Sequence, residues 1–127
     1  MTMPSMTAYS FGDVVLVQFP FTDQSSTKQR PAIVISSEGY NTERPDLVIL
    51  AVTSRVRETL GYAEHSLTDW SVAGLLKPSV IKPLIATIEK SLVRKVLGQL
   101  GPRDLVLVES CIEEITGRDT SSRRPPG

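Results

Sequence analysis

The chain has 127 residues, with 14 basic side chains against 14 acidic ones and a single cysteine, Cys111. That length makes one domain able to bury a core without metal or disulfide staples, and a lone cysteine rules out an internal disulfide. Zero net charge argues against a protein that coats long nucleic acid, which needs a basic excess, and no apolar run approaches the about 20 residues of a membrane helix.

Residues 1–10 are small and polar without periodicity and read as a flexible lead. They hold no basic segment followed by an apolar one, so a secretory leader is not expected and a cytoplasmic protein is. Residues 13–19 are β-branched and apolar, a strand pattern that Pro20 ends. The polar stretch 22–29 has no core-forming residue and reads as a mobile surface loop. A second strand follows at 33–35, opened by Pro31, and 38–45 reads as a loop. Residues 47–53 form a buried strand by composition, 55–61 a turn ending in glycine, and 62–67 a weaker alternating strand. Thr68-Asp69 before Trp70 suits the cap of one short helical turn. Residues 79–88 read as a strand whose Pro83 must lie at an edge or a bulge. A turn at 90–93 leads to a last strand at 94–100.

From Pro102 the period changes. Leu105, Val108, Ile112 and Ile115 recur at helical spacing beside Cys111, with Pro102 at the start, Gly117 at the stop, and Glu109 and Glu113 on the solvated side. Residues 118–127 are rich in Ser, Arg and Pro and read as a disordered tail. Charge is uneven: residues 11–100 hold ten Lys/Arg and nine Asp/Glu, whereas 101–117 hold Arg103 against Asp104, Glu109, Glu113 and Glu114. The acidity is therefore concentrated late, which leaves room for a basic site elsewhere. Short strands with close turns and one C-terminal helix give a mostly β, α+β fold, a strongly bent sheet or small barrel.

Two strand ends stand out. Gln29-Arg30-Pro31 leads into Ala32-Ile33-Val34-Ile35, and Val52-Thr53-Ser54-Arg55 closes Leu47-Val48-Ile49-Leu50-Ala51. A guanidinium offers forked donors that match phosphate oxygens, and a hydroxyl adds a donor without charge. On the residues alone, Arg30 is a surface arginine and Thr53 a strand-end threonine. His65 is the one histidine, so a two-histidine acid–base nuclease cannot be built within one chain. No ligand spacing points to a metal, and no cofactor is expected.

Taken in order, Gly12-Asp13-Val14-Val15-Leu16-Val17, Phe19-Pro20-Phe21-Thr22-Asp23, Arg30-Pro31-Ala32-Ile33-Val34-Ile35, Val52-Thr53-Ser54, Ala73 through Ile81, Glu89-Lys90 and Leu97-Gly98-Gln99-Leu100 resemble the MazF/PemK family of toxin endoribonucleases over residues 11–100. The resemblance implies an SH3-like small barrel of five to seven strands with short helices and a C-terminal helix, shared with the toxin CcdB, occupying residues 11–117. It implies a homodimer that binds single-stranded RNA and a cognate acidic antitoxin, touches DNA only through that antitoxin, and needs no membrane. It implies sequence-specific, metal-independent RNA cleavage to 2′,3′-cyclic phosphate and 5′-hydroxyl ends. Arg30 and Thr53 match the family's catalytic positions, and Lys28, Gln29, Ser54, Ser79 and Lys82 are the expected substrate contacts, with Arg94 in a segment near the groove. Arginine suits charge stabilisation better than proton abstraction, since a guanidinium keeps its proton. The chain departs from the family at Asp23-Gln24-Ser25-Ser26, at Ala51 where a proline is frequent, and at Pro83. The competing readings are a CcdB-like inhibitor of DNA gyrase without nuclease activity and an inactive SH3-like binding module.

Overall fold

The structure is a computed structural model that describes residues 8–18 and 28–118. Most of the expected lead, the polar loop with Phe19, Phe21 and residues 23–26, and the tail beyond Arg118 lie outside the described residues. Among the described residues, six strands form one antiparallel sheet: β1 (Asp13–Gln18), β2 (Gln29–Val34), β3 (Asp46–Thr53), β4 (His65–Ser66), β5 (Val80–Glu89) and β6 (Val93–Gln99), in the order β4-β5-β3-β2-β1-β6. The α-helices described beside it are α1 (Glu38–Glu43) and α2 (Pro102–Thr116). This is the mostly β fold with a C-terminal helix expected from the sequence, although no strand ladder joins the margins β4 and β6.

One short connection dictates the sheet's curvature. β5 and β6 stand four places apart in the strand order, about 19 Å if the sheet were flat. They are joined by a single 3₁₀ turn, Lys90–Leu92, which spans about 6 Å. The sheet must therefore roll until the end of β5 approaches the start of β6. The packing agrees. Ile88 of β5, and Leu92 and Val93 at the turn, share a cluster with Val15, Val17, Ala32, Val34, Leu47 and Ile49 inside the roll. The alternate residues Val14, Ile33, Leu50, Val52 and Ile81 face outward and pack with Leu67, Ala73, Leu75, Val108 and Cys111 beneath α2 and the segment before β5. Period-2 alternation thus serves two cores, one on each face.

Pro83 sits at a bulge. β3 and β5 pair Leu50 with Ile85 but Val52 with Ile81, so Lys82, Pro83 and Leu84 stand against Ala51 alone. The extra residues absorb the donor that proline lacks. Residues 38–45, read from sequence as a loop, instead contain α1, whose N-cap Ser37 accepts from the Tyr40 N–H at 3.2 Å. Asn41 fixes this helix by donating to the carbonyls of Tyr9 and Ser36 at 2.9 and 3.1 Å. The expected strand at 62–67 shrinks to His65–Ser66.

The α2 stripe also differs from expectation. Ile115 is exposed, while Asp104 is completely buried. Its two carboxylate oxygens accept the N–H groups of Thr68 and Asp69, each at 2.8 Å. The turn at 68–71 is therefore capped by a residue from another element, not by its own Thr68 or Asp69. Arg103, the preceding residue, clasps the same turn from outside, donating to both oxygens of Asp69 at 2.6 and 3.1 Å. That fork holds the Asp69 carboxyl below its ordinary range. Beyond the turn, backbone meets backbone. Gly74 has φ +90°, and a Cβ there would lie 2.1 Å from the Leu97 carbonyl oxygen; a Cβ on Gly98 would lie 2.6 Å from that of Ala73. Only glycine permits this approach.

Asp104→Ala should leave two buried N–H groups without acceptors and lower stability by about 2–4 kcal/mol, whereas Asp104→Asn, which keeps one acceptor oxygen, should lose less. Urea unfolding monitored by Trp70 fluorescence measures both; equal stability of Asp104→Ala and the parent would contradict the role given to this carboxylate.

Candidate functional site

β2 and β3 pair Val34 with Ile49, Ile33 with Leu50 and Ala32 with Ala51. Continuing that register by two residues sets Arg30 opposite Thr53. The interval is Pro31, which has no N–H to extend the ladder. By alternation both side chains belong to the face that Ala32, Val34 and Ile49 turn into the roll, so the pair stands at its mouth. Arg30 is exposed and Thr53 half-buried. The Thr53 Oγ1 accepts the Arg55 N–H at 3.1 Å, which leaves its own proton for a different acceptor.

Thr53 in turn pairs with Val80, and Val80 with Ser66. One row of the sheet thus runs Thr53, Val80, Ser66 across three strands, and the continued β2 register would add Arg30 to it. Lys82 lies two residues further along β5 and donates to Glu64 at 2.6 Å. Gln29 opens β2 opposite Gln18, and Lys28 precedes it; both are exposed. Arg94 donates to the side chain of Gln18 on β1.

Ser54 and Ser79 meet elsewhere. They line a cleft of about 290 Å³ with Leu16, Pro31, Lys77 and Lys95. Arg30 and Thr53 do not line it, but their chain neighbours Pro31 and Ser54 do, so it opens beside the pair. Ser79 is buried and donates to the Lys77 carbonyl at 2.8 Å, which makes it a shaper of the cleft wall. Leu76, which also lines the cleft, is 92% exposed. Lys77 and Lys95 were not singled out from sequence; Lys77 falls inside the quoted segment 73–81, which was its one signal.

His65 is turned away from the row, its Nε2 2.8 Å from Glu114 Oε1 on α2. Cys111 is buried; loss of solvation, then the nearby Glu114 charge, push its thiol up to about 11, so it is no nucleophile at neutral pH. Among the described residues no three His, Cys, Asp or Glu side chains gather as a metal-binding set. A forked cation and a hydroxyl proton carried on neighbouring strand ends are groups that can hold a phosphodiester and meet charge that develops on its oxygens.

The model of a family described as PemK-like, MazF-like toxin of type II toxin-antitoxin systems matches residues 10–116. None of the curated proteins matches the chain. Among solved structures, a MazE–MazF complex from Deinococcus radiodurans is 20% identical, with a TM-score of 0.72 over 89% of this chain and 99% of that one. An endoribonuclease bound to its cognate antitoxin, from a mycobacterial species, is 17% identical, with a TM-score of 0.67 over 88% and 96%. A mycobacterial endoribonuclease alone is 19% identical, with a TM-score of 0.68 over 90% and 96%. At such identities these likenesses speak for the fold.

The Glu64 clasp makes a pH prediction. The Lys82 hydrogen bond first, then that from the Gly61 N–H, hold the Glu64 carboxyl below its ordinary value of 4.5. A carboxylate lowered on folding contributes fully above its unfolded value and is lost as pH falls through the folded one. The Gly61 amide resonance should therefore stay constant from pH 7 to 4.5 and move only below; a transition centred above 4.5 would contradict the clasp.

Proposed function

The chain belongs to the PemK-like, MazF-like toxin family of type II toxin-antitoxin systems, and from that membership we propose that it is an endoribonuclease that cuts single-stranded RNA at specific sequences and is silenced by a cognate antitoxin. What supports this reading is the β2–β3 register, which pairs Ala32 with Ala51 and, continued past Pro31, would bring Arg30 beside Thr53.

The reaction is attack of a ribose 2′-oxygen on the adjacent phosphorus. The new P–O2′ bond forms as the P–O5′ bond breaks, the 2′-hydroxyl gives up its proton, and the departing 5′-oxygen gains one. The products are a 2′,3′-cyclic phosphate and a 5′-hydroxyl. Negative charge builds on the non-bridging oxygens, where Arg30 supplies a fixed cation and Thr53 a hydrogen-bond donor. Lys28 and Gln29 extend the contact along the strand. The cleft beside the pair gives a base apolar walls, with Ser54, Lys77 and Lys95 at its rim. No metal is needed when protein cations neutralise this charge.

Two partners complete the reading. The roll leaves β4 and β6 as open margins, and Val72 and Leu76 are exposed apolar side chains, features a homodimer would cover. The antitoxin is an acidic chain that lies across the basic mouth in the cytoplasm and excludes RNA, with DNA reached only through that antitoxin. The complexes with antitoxins among proteins of this fold support such a partner.

The test is cleavage of a long defined RNA in excess EDTA with product ends mapped. Cyclic phosphate ends at a recurring sequence are expected. Arg30→Ala and Thr53→Ala should each lower the rate by about 10²–10³ with folding intact; folded variants that cut at the parent rate would remove the pair from the chemistry, and RNA binding without cleavage would leave an inactive module. Light scattering should give a dimeric mass at micromolar concentration. An acidic antitoxin should compete with RNA and bind more weakly as salt rises; simultaneous binding of both without mutual loss would refute occlusion.

A further inference from the structure

Beside the Arg30–Thr53 row lies a second set of converging donors, and the protein's own carboxylate fills it. Glu64 Oε2 accepts from Lys82 Nζ at 2.6 Å and lies 3.5 Å from an Arg57 guanidinium nitrogen; Oε1 accepts the Gly61 N–H at 2.8 Å. Only 8% of the Glu64 side chain is exposed, against 35% for Lys82 and 67% for Arg57. Two cations and a backbone N–H around two oxygens is the donor set that a phosphodiester takes.

Its position ties this set to the row. β4 and β5 pair His65 with Ile81 and Ser66 with Val80; one residue further, Glu64 faces Lys82. Val80 is the partner of Thr53, and Lys82 follows two residues along β5 where the bulge begins, so the two sets are neighbours on one sheet. Neighbouring donor sets of this kind suit consecutive phosphates of a single strand.

The segment that leads to Glu64 lies at the surface: residues 54–62 are all exposed. Ala63, immediately before Glu64, holds φ at +65°, a region that side-chain-bearing residues seldom occupy without outside restraint. That restraint comes from the burial of Ala63 itself and from the Glu64 contacts to Gly61.

We propose that Lys82, Arg57 and the Gly61 N–H form a subsite for the RNA phosphate next to the scissile one, and that Glu64 is an internal stand-in which RNA displaces. The proposal rests on the RNA-cleavage reading. It makes Glu64 a brake on binding: while the carboxylate is in place Lys82 is already neutralised, and exchange for phosphate releases no counterion. A merely structural ion pair on this surface would stabilise the fold slightly and leave RNA affinity alone.

The experiment measures binding of a short, fluorescent, 2′-O-methylated RNA to full-length parent, Glu64→Gln, Lys82→Gln and the double variant between 50 and 300 mM salt. Glu64→Gln should bind about fivefold tighter at 0.1 M salt, with a log–log salt slope steeper by about 0.7, one further phosphate contact on a single strand. The gain should vanish in the double variant. In the parent, which needs no substitution to fold, the same RNA should shift the Gly61 amide resonance. RNA that binds parent and Glu64→Gln alike, with Gly61 unmoved, overturns the subsite and leaves RNA cleavage standing. RNA that binds neither protein overturns both. An acidic antitoxin peptide that moves Gly61 where RNA does not overturns the assignment to phosphate.

Discussion

The short link between β5 and β6 is the constraint from which the rest of the architecture follows. Lys90–Leu92 cannot bridge the width of a flat sheet. Once the sheet rolls, the alternate residues of β1, β2 and β3 acquire two different insides. Val15, Val17, Ala32 and Val34 are enclosed by the roll, and Val14, Ile33 and Leu50 are left for α2 to cover. The same curvature brings the start of β2 and the end of β3 to an open mouth, where Arg30 and Thr53 can be polar without burying an unpaired group.

The cleft depends on a different anchoring. Its wall is the segment from Thr68 to Ser79, which has little secondary structure of its own. Asp104 holds one end through two N–H groups, and the contact of Gly74 and Gly98 with opposing backbone holds the middle. The two glycine-bearing segments quoted for the family resemblance, at 73–81 and 97–100, are therefore the two sides of one junction. Leu76 can then stand outside the core beside the cleft because neighbours on both sides of it are fixed.

Much of this was legible in the residues. β1 and β3 announce themselves as β-branched, apolar runs and α2 by its helical period, and Pro83 demanded an edge or a bulge, of which β5 has the bulge. Arg30 and Thr53 were visible only as strand ends; that they face each other is a matter of register, which no local pattern encodes. Three features went unread for physical reasons. α1 has one buried residue, Asn41, so it shows no apolar stripe. Asp104 looks like an ordinary first-turn acid, favourable near a helix N-terminus, and its burial comes from a turn 35 and 36 residues earlier in the chain. Glu64 belongs to a weak strand whose partner, Lys82, is 18 residues on. In each case the deciding neighbour is remote in sequence.

Remoteness of that kind also governs how the chain can fold as it is made. β1 finds β2 soon after it emerges, but its other edge waits for β6, and the bond from Gln99 to Asp13 at 3.0 Å closes a separation of 86 residues. Contacts so distant are slow to form, because loop-closure entropy is lost before they return any stability. A nascent chain that ends anywhere before β6 therefore leaves β1 unpaired on one side and the roll unclosed. The mouth that carries Arg30 and Thr53 takes its final curvature only once β6 has been made.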